Sequence, residues 1–222
     1  FNALLLSPEL RRYREPERKL DVESEAMLKK VEQHIRRSRY YVPLNDPSVG
    51  HDIPKGIHVT PDDVNHLKVP AAQEVTPRRY RLYYDTPSLT AARHGIEIRI
   101  ELPKATEHGH ERKYKQVIKL GKDATEDDPT FHRLEIAGRL KEPVPSFDPK
   151  VLDGNKQLAA FLQNNIDVNA LVPLQLLTTV RTRIWCRPGG DPNNIVEFAF
   201  DRGHGMTVTG HRYPILQIEP EV

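Results

Sequence analysis

Gly95-Ile96-Glu97-Ile98-Arg99-Ile100-Glu101 alternates isoleucine with charge at every second position. On a β-strand successive side chains point to opposite faces, so the isoleucines share one face and Glu97, Arg99 and Glu101 share the other. The same pattern recurs on both sides of it. Upstream, Arg79, Arg81 and Tyr83 alternate with Tyr80, Leu82 and Tyr84. Downstream, a strand over residues 112–120 places Lys113, Lys115 and Lys119 on a charged face, and one over 131–137 places Arg133 and Glu135 together. An ordinary half-buried sheet turns such a polar face to water. In a barrel built apolar side out, with helices covering that surface, the charged faces would instead line a tunnel. Such a lining is costly unless anions and metals neutralise it.

Further out, the alternating stretches return at residues 179–187, 195–201, 206–209 and 215–222, which predicts more strands. Val22, Ala26, Met27, Val31 and Ile35 lie on one face of a helix expected over 21–37, and helical stretches are expected between 149 and 165. Thr86 is expected to cap a short helix closed by Gly95. Residues 1–14 read as a lead-in, and 40–77 as an insertion or long loop with one short helix from Thr60. The expected fold is α+β, mainly β: an eight-stranded antiparallel barrel with peripheral helices, forming one domain over 15–222.

Composition narrows the function. Charged residues make up 29% of the 222, yet the net charge is only +2, so no basic tail points to nucleic acid. Any strong field must be local. No apolar run reaches membrane-spanning length, and Leu4 to Leu6 is too short for a signal-peptide core. Cys186 stands alone, which excludes an internal disulfide and accords with a reducing, cytoplasmic setting.

The ends of the chain carry a second pattern. In Glu15-Pro16-Glu17-Arg18-Lys19 a strand would project two carboxylates and an ammonium together, and Gln217-Ile218-Glu219-Pro220-Glu221 would supply a matching acidic face. Hard, oxygen-seeking cations suit such donors, and magnesium completes its octahedron with water and phosphate oxygens. The cations expected to face inward are Lys19, Arg99, Lys115, Lys119, Arg133, Arg181 and Arg183. Arginine forks and lysine point charges together suit a polyanion. The carboxylates Glu15, Glu17, Glu97, Glu135, Glu197, Asp201, Glu219 and Glu221 would pair with them or hold one or two divalent ions. A triphosphate with Mg²⁺ satisfies both sets.

These residues fall into motifs that resemble the CYTH superfamily, the triphosphate tunnel metalloenzymes. Glu15 to Lys19 resembles its Glu-x-Glu-x-Lys signature, and Tyr83-Tyr84-Asp85-Thr86-Pro87 with Gly95 to Arg99 resembles its Tyr-Tyr-Asp-Thr-Pro and Gly-x-x-Leu-Arg-x-Arg run. Gln116 to Lys119, Arg133 to Glu135, Arg181 to Trp185, Glu197 to Gly203 and Pro214 to Glu219 follow in that family's order. The resemblance implies an eight-stranded tunnel acting on a small triphosphate-containing molecule with Mg²⁺ or Mn²⁺. By position, Glu15, Glu17, Asp201 and Glu219 would hold metal, with Glu221 on the same face. Lys19, Arg99, Lys119, Arg133, Arg181 and Arg183 would bind phosphate and carry catalysis.

Three activities fit this resemblance: hydrolysis of inorganic or organic triphosphate, a class IV-type adenylate cyclase, and binding of polyphosphate or nucleotide without turnover. Gln217 and Glu101 motivate the last, because one removes an anion from the expected metal set and the other puts an anion where a phosphate contact is expected. Pro16 and Pro220 are also unexpected within strands. His108-Gly109-His110 lacks a nearby third ligand and reads as a solvated turn. Trp185 shares a face with Arg183 and would either pack or stack on a ring.

Overall fold

The structure is a computed structural model that describes residues 14–17, 20–39, 41–42, 75–76, 78–102, 114–122, 131–187 and 195–221, with the side chains of 14–17, 122, 131–133 and 221 outside the description. The strands are β1 (Arg14–Glu17), β2 (Leu20–Asp21), β3 (Tyr41–Val42), β4 (Arg79–Asp85), β5 (Ile96–Glu101), β6 (Tyr114–Lys122), β7 (Phe131–Leu140), β8 (Val172–Cys186), β9 (Val196–Thr207) and β10 (Arg212–Glu221). The helices are α1 (Glu25–Arg37), α2 (Thr90–Arg93) and α3 (Lys156–Asn165). The fold is therefore mainly β, with few helices and antiparallel ladders. Two compact units are present, one of residues 1–18, 78–179 and 203–215, the other of 19–77, 180–202 and 216–222.

In the first unit β4, β5, β6 and β7 form an antiparallel meander. β1 joins β7, with Glu15 opposite Arg133, and the first half of β8 joins β4. The alternation read from β5 holds throughout. Ile96, Ile98, Ile100, Ile118, Leu120, Leu134 and Ile136 are all buried. All of these except Ile100 belong to one core with Phe147, Leu152 and the α3 residues Leu158, Ala159 and Leu162. Each buried isoleucine or leucine contributes about 1.5–3 kcal/mol relative to exposure. Asn155 caps α3 by accepting from the Leu158 amide at 2.8 Å. Gln116 lies on this apolar side of β6, and its amide is satisfied there by the Ser146 backbone through two 2.8 Å bonds.

The turn after β4 has a built-in cap. Asp85 accepts from the amides of Thr86 at 2.7 Å, Ala91 at 2.8 Å and Ala92 at 3.0 Å, while Thr86 Oγ1 accepts from the Thr90 amide at 2.9 Å. The N-cap position of α2 is Leu89 and not Thr86 as expected; Leu89 has no side-chain oxygen to offer, and Thr86 and Asp85 satisfy the first helical amides from the preceding turn. Gly95 closes the helix at φ 66°, a backbone conformation that glycine adopts without strain.

In the second unit the later half of β8, the first half of β9, the later half of β10 and β2 follow in order, with β3 on the free side of β8. Ser24 caps α1, which buries Leu28 against Ile184, Phe200 and Ile218. Trp185 is buried against Val42 and Ile195, so it packs and does not present a stacking face.

Several boundaries differ from expectation for identifiable reasons. Asp21 belongs to β2, because it sits in ladder register opposite Gln217, and α1 starts only after Ser24. The two strands expected at 195–201 and 206–209 are one strand, β9, running through Gly203 and Gly205. Neither glycine is a turn. A Cβ on Gly203 would stand 1.9 Å from the Thr178 carbonyl oxygen, and one on Gly205 would stand 2.2 Å from the Tyr213 ring. Both mark close approach within a strand. β8 starts earlier than expected, at Val172, and β10 at Arg212. Pro16 is tolerated in β1, whose ladder among the described residues is with β7 alone. Among the described residues no ladder joins β1 to β2, so the pairing does not close a barrel. The lead-in up to residue 13, the helix expected from Thr60 and the His108–His110 turn lie outside the described residues, while Arg14, expected in the lead-in, opens β1.

Candidate functional site

The charged face of the first unit is not a solvated one. Arg99 is 8% exposed and Lys119 4%, on adjacent strands, and Arg81 on β4 is 7% exposed. Long cationic side chains are almost never so buried unless they are paired. The pairs are present. Lys119 Nζ lies 2.7 Å from Glu135 Oε2, its cross-strand neighbour. Arg99 Nη1 donates to Glu97 Oε1 at 3.1 Å, two positions back on the same strand face. Glu101 Oε1 is approached by Arg99 Nη2 at 3.6 Å and by Arg81 Nε at 3.9 Å.

The electrostatics follow from this packing. Burial alone would raise the Glu135 carboxyl, but Lys119 first, then Arg99 and Lys115, hold it below the usual carboxylate value. For Arg99 burial works to remove the proton, and Tyr83, Glu97, Glu135 and Glu101 more than offset it. Lys115 is exposed and lies across from Glu101 in register. Arg133 lies on β7 opposite Gly121 and Glu15, with its side chain outside the described residues.

The second unit has its own buried ionic group. Arg181 donates through Nε to Asp201 Oδ1 and through Nη2 to Asp201 Oδ2, both at 2.9 Å, and Nη2 also donates to Glu219. All three side chains are buried. Arg183 Nε stands 3.1 Å from Glu197 Oε1, at an angle that does not make a hydrogen bond, and both are partly buried.

Asp201 and Glu219, expected as metal ligands, thus converge on a guanidinium. They still fit a divalent ion in chemistry: two buried carboxylates converge at Arg181, and their oxygens are the donors Mg²⁺ and Mn²⁺ prefer. Among the described residues no three His, Cys, Asp or Glu side chains come together as a metal cluster. Of the remaining expected metal ligands, Glu15 and Glu17 lie on β1 and Glu221 on β10 by backbone alone; Lys19, expected to bind phosphate, is outside the described residues. The Gln217 amide donates to Asp21 Oδ1 at 2.9 Å.

Sequence reasoning missed Arg81. Its alternation with Tyr80 and Leu82 was visible, but only the register of β4 against β5 places it across from Glu101.

No family model matches the chain, and no curated protein does. Among solved structures, HpAC1 from Hippeastrum, described as an adenylyl cyclase candidate with a dominant triphosphatase activity, is 15% identical with a TM-score of 0.51, covering 94% of this chain and 79% of its own. A protein of Bacillus halodurans described as an adenylate cyclase candidate is 13% identical with a TM-score of 0.47, covering 95% and 82%. The fold is of the CYTH type.

Proposed function

We propose that the protein is a divalent-metal-dependent triphosphatase, with inorganic triphosphate as the leading substrate. What carries the reading is the burial of Arg99 and Lys119 on one charged sheet face, where a solvated surface would leave them in water. The likeness to the Hippeastrum protein, described as having a dominant triphosphatase activity, supports it at the level of fold.

In this reading Arg99, Lys119, Arg181 and Arg183, with Lys19, Lys115 and Arg133, hold phosphate oxygens. Fixed donors aimed at those oxygens stabilise the charge of the transferring phosphoryl group without reorganising during reaction. Asp201 and Glu219, with Glu15, Glu17 and Glu221, are the oxygen donors for Mg²⁺ or Mn²⁺. When bound, such an ion neutralises phosphate charge and favours ionisation of a coordinated water. The chain's own contribution is to align the triphosphate for in-line attack. An eight-stranded tunnel is the form we propose for the closed site, and the cytoplasm its setting.

The neighbour's description as an adenylyl cyclase candidate supplies a second reading, in which ATP gives cyclic AMP and pyrophosphate. A product assay with inorganic triphosphate, thiamine triphosphate and nucleotides, each with Mg²⁺ and Mn²⁺, separates them. Orthophosphate release is the expected result. Cyclic AMP would move the assignment to the cyclase, and binding without any turnover would leave a capture module.

A further inference from the structure

We infer that Arg81 is an additional anion-binding residue and that Glu101 is its internal competitor, an inference that rests on the polyphosphate reading above and adds a residue to it. Arg81 sits near the middle of β4, across the ladder from Glu101 on β5, and is nine-tenths buried. Its Nε has no hydrogen-bond partner, and the same holds for the Nε of Arg99 on the neighbouring strand. The ion pair of Arg81 among the described residues is the 3.9 Å approach to Glu101 Oε1, which lies beyond hydrogen-bond reach.

That same oxygen is also approached by Arg99 Nη2, at 3.6 Å, while Arg99 Nη1 is served by Glu97. Two buried guanidinium groups therefore share one carboxylate oxygen, and neither forms a hydrogen bond with it. Tyr83 and Thr179, which neighbour Arg81 on the same side of the sheet, bring no carboxylate. Lys115 faces Glu101 from β6 and adds a third positive group. Buried arginines left short of acceptors are costly to the fold. The deficit has a chemical shape: the Nε donors of two neighbouring guanidinium groups lack partners, and the one carboxylate oxygen the groups share is out of hydrogen-bond reach of both, which matches a ligand carrying many anionic oxygens, a polyphosphate chain. On its arrival Glu101 would be the carboxylate that repels it, and Arg81 the fork that turns to it.

The geometry separates this from a simple cross-strand ion pair. If Glu101 only neutralises Arg81, removing its charge should destabilise the fold and do nothing for the ligand. If it competes, removing its charge should tighten binding. Calorimetric titration of the full chain with inorganic triphosphate, in EDTA to prevent turnover, reads the difference. Arg81→Ala should weaken affinity about tenfold or more, the usual loss for a charge-assisted contact, and Arg81→Lys should recover part of it. Glu101→Gln should tighten affinity several-fold. The exchange R81E with E101R should stay within about threefold of wild type, as the cation merely changes strand. Equal affinity of Arg81→Ala and wild type, or weaker binding by Glu101→Gln, would overturn the inference. Should Arg81→Ala fail to fold by circular dichroism, Glu101→Gln decides alone. Wild-type chain that binds neither triphosphate nor pyrophosphate, with or without Mg²⁺, would overturn the polyphosphate reading itself.

Discussion

Arg181 holds Asp201 by both ends of its fork, Nε to Oδ1 and Nη2 to Oδ2 at 2.9 Å each, across two strands that carry their charges inward to a buried position. Planar two-point contact of this kind fixes orientation as well as charge. Removing one partner leaves the other charged and buried. Asp201→Asn is expected to lower unfolding free energy by about 3 kcal/mol, the usual cost of breaking such a pair. Urea denaturation checks it, and a midpoint unchanged from wild type would mean the pair is exposed in solution.

The same carboxylates bear on metal. Glu219→Gln keeps the shape and removes one charged oxygen donor from the two carboxylates that meet on Arg181. Binding of Mn²⁺, followed by the paramagnetic resonance signal of the free ion, is expected to weaken about tenfold with loss of a charged oxygen donor. Equal affinity in the variant would place the ion elsewhere.

Lys119 is the cation whose loss should matter most to turnover. It is buried beside Glu135, so its removal leaves that carboxylate without its counter-charge and, on the proposed reading, would also leave a phosphate oxygen without its donor. Lys119→Ala is expected to lower phosphate release from triphosphate about a hundredfold. Lys141→Ala, at an exposed position just after β7, should change it by less than about threefold. Similar losses in both variants would argue for a diffuse positive field in place of a fixed contact.

Glu135 gives a pH signature. Its carboxyl is held below the unfolded reference of 4.5, so its favourable pairing is fully present above pH 4.5 and is lost as pH falls through the lower folded value. Wild type should therefore lose stability faster than Glu135→Gln on acidification below pH 4.5, and the two curves should converge. Parallel curves over that range would show that the pairing does not form.

Gly203 tests the close approach inside β9. A methyl group there meets the Thr178 carbonyl oxygen at 1.9 Å, a backbone atom that cannot swing aside. Gly203→Ala should cost about 3 kcal/mol or prevent folding. A wild-type melting temperature would mean the strands are further apart than described.

Much of this was legible in the chain because strand alternation is a local signal. Ile96 to Glu101 announce their two faces without help from any other segment, and the core and the charged side both follow. Partner choice is not local. Arg181 meets residues 20 and 38 positions away, and only the register of β8 with β9 and β10 decides that Asp201 and Glu219 serve it. Gly203 was ambiguous for another reason: glycine serves both turns and close contacts, and only the neighbouring Thr178 backbone distinguishes them. Asp21 looked like the start of a helix until its ladder with Gln217 drew it into a strand.

Asp85 has a consequence for how variants of this protein are interpreted. Its two carboxylate oxygens are committed to three backbone amides, so the acid in Tyr83-Tyr84-Asp85-Thr86-Pro87 works as masonry and not as chemistry. A change there would silence any assay while touching no reactant. Screens that score only lost turnover would then credit the turn with a role it does not have, and a parallel measure of folded protein is what tells the two apart.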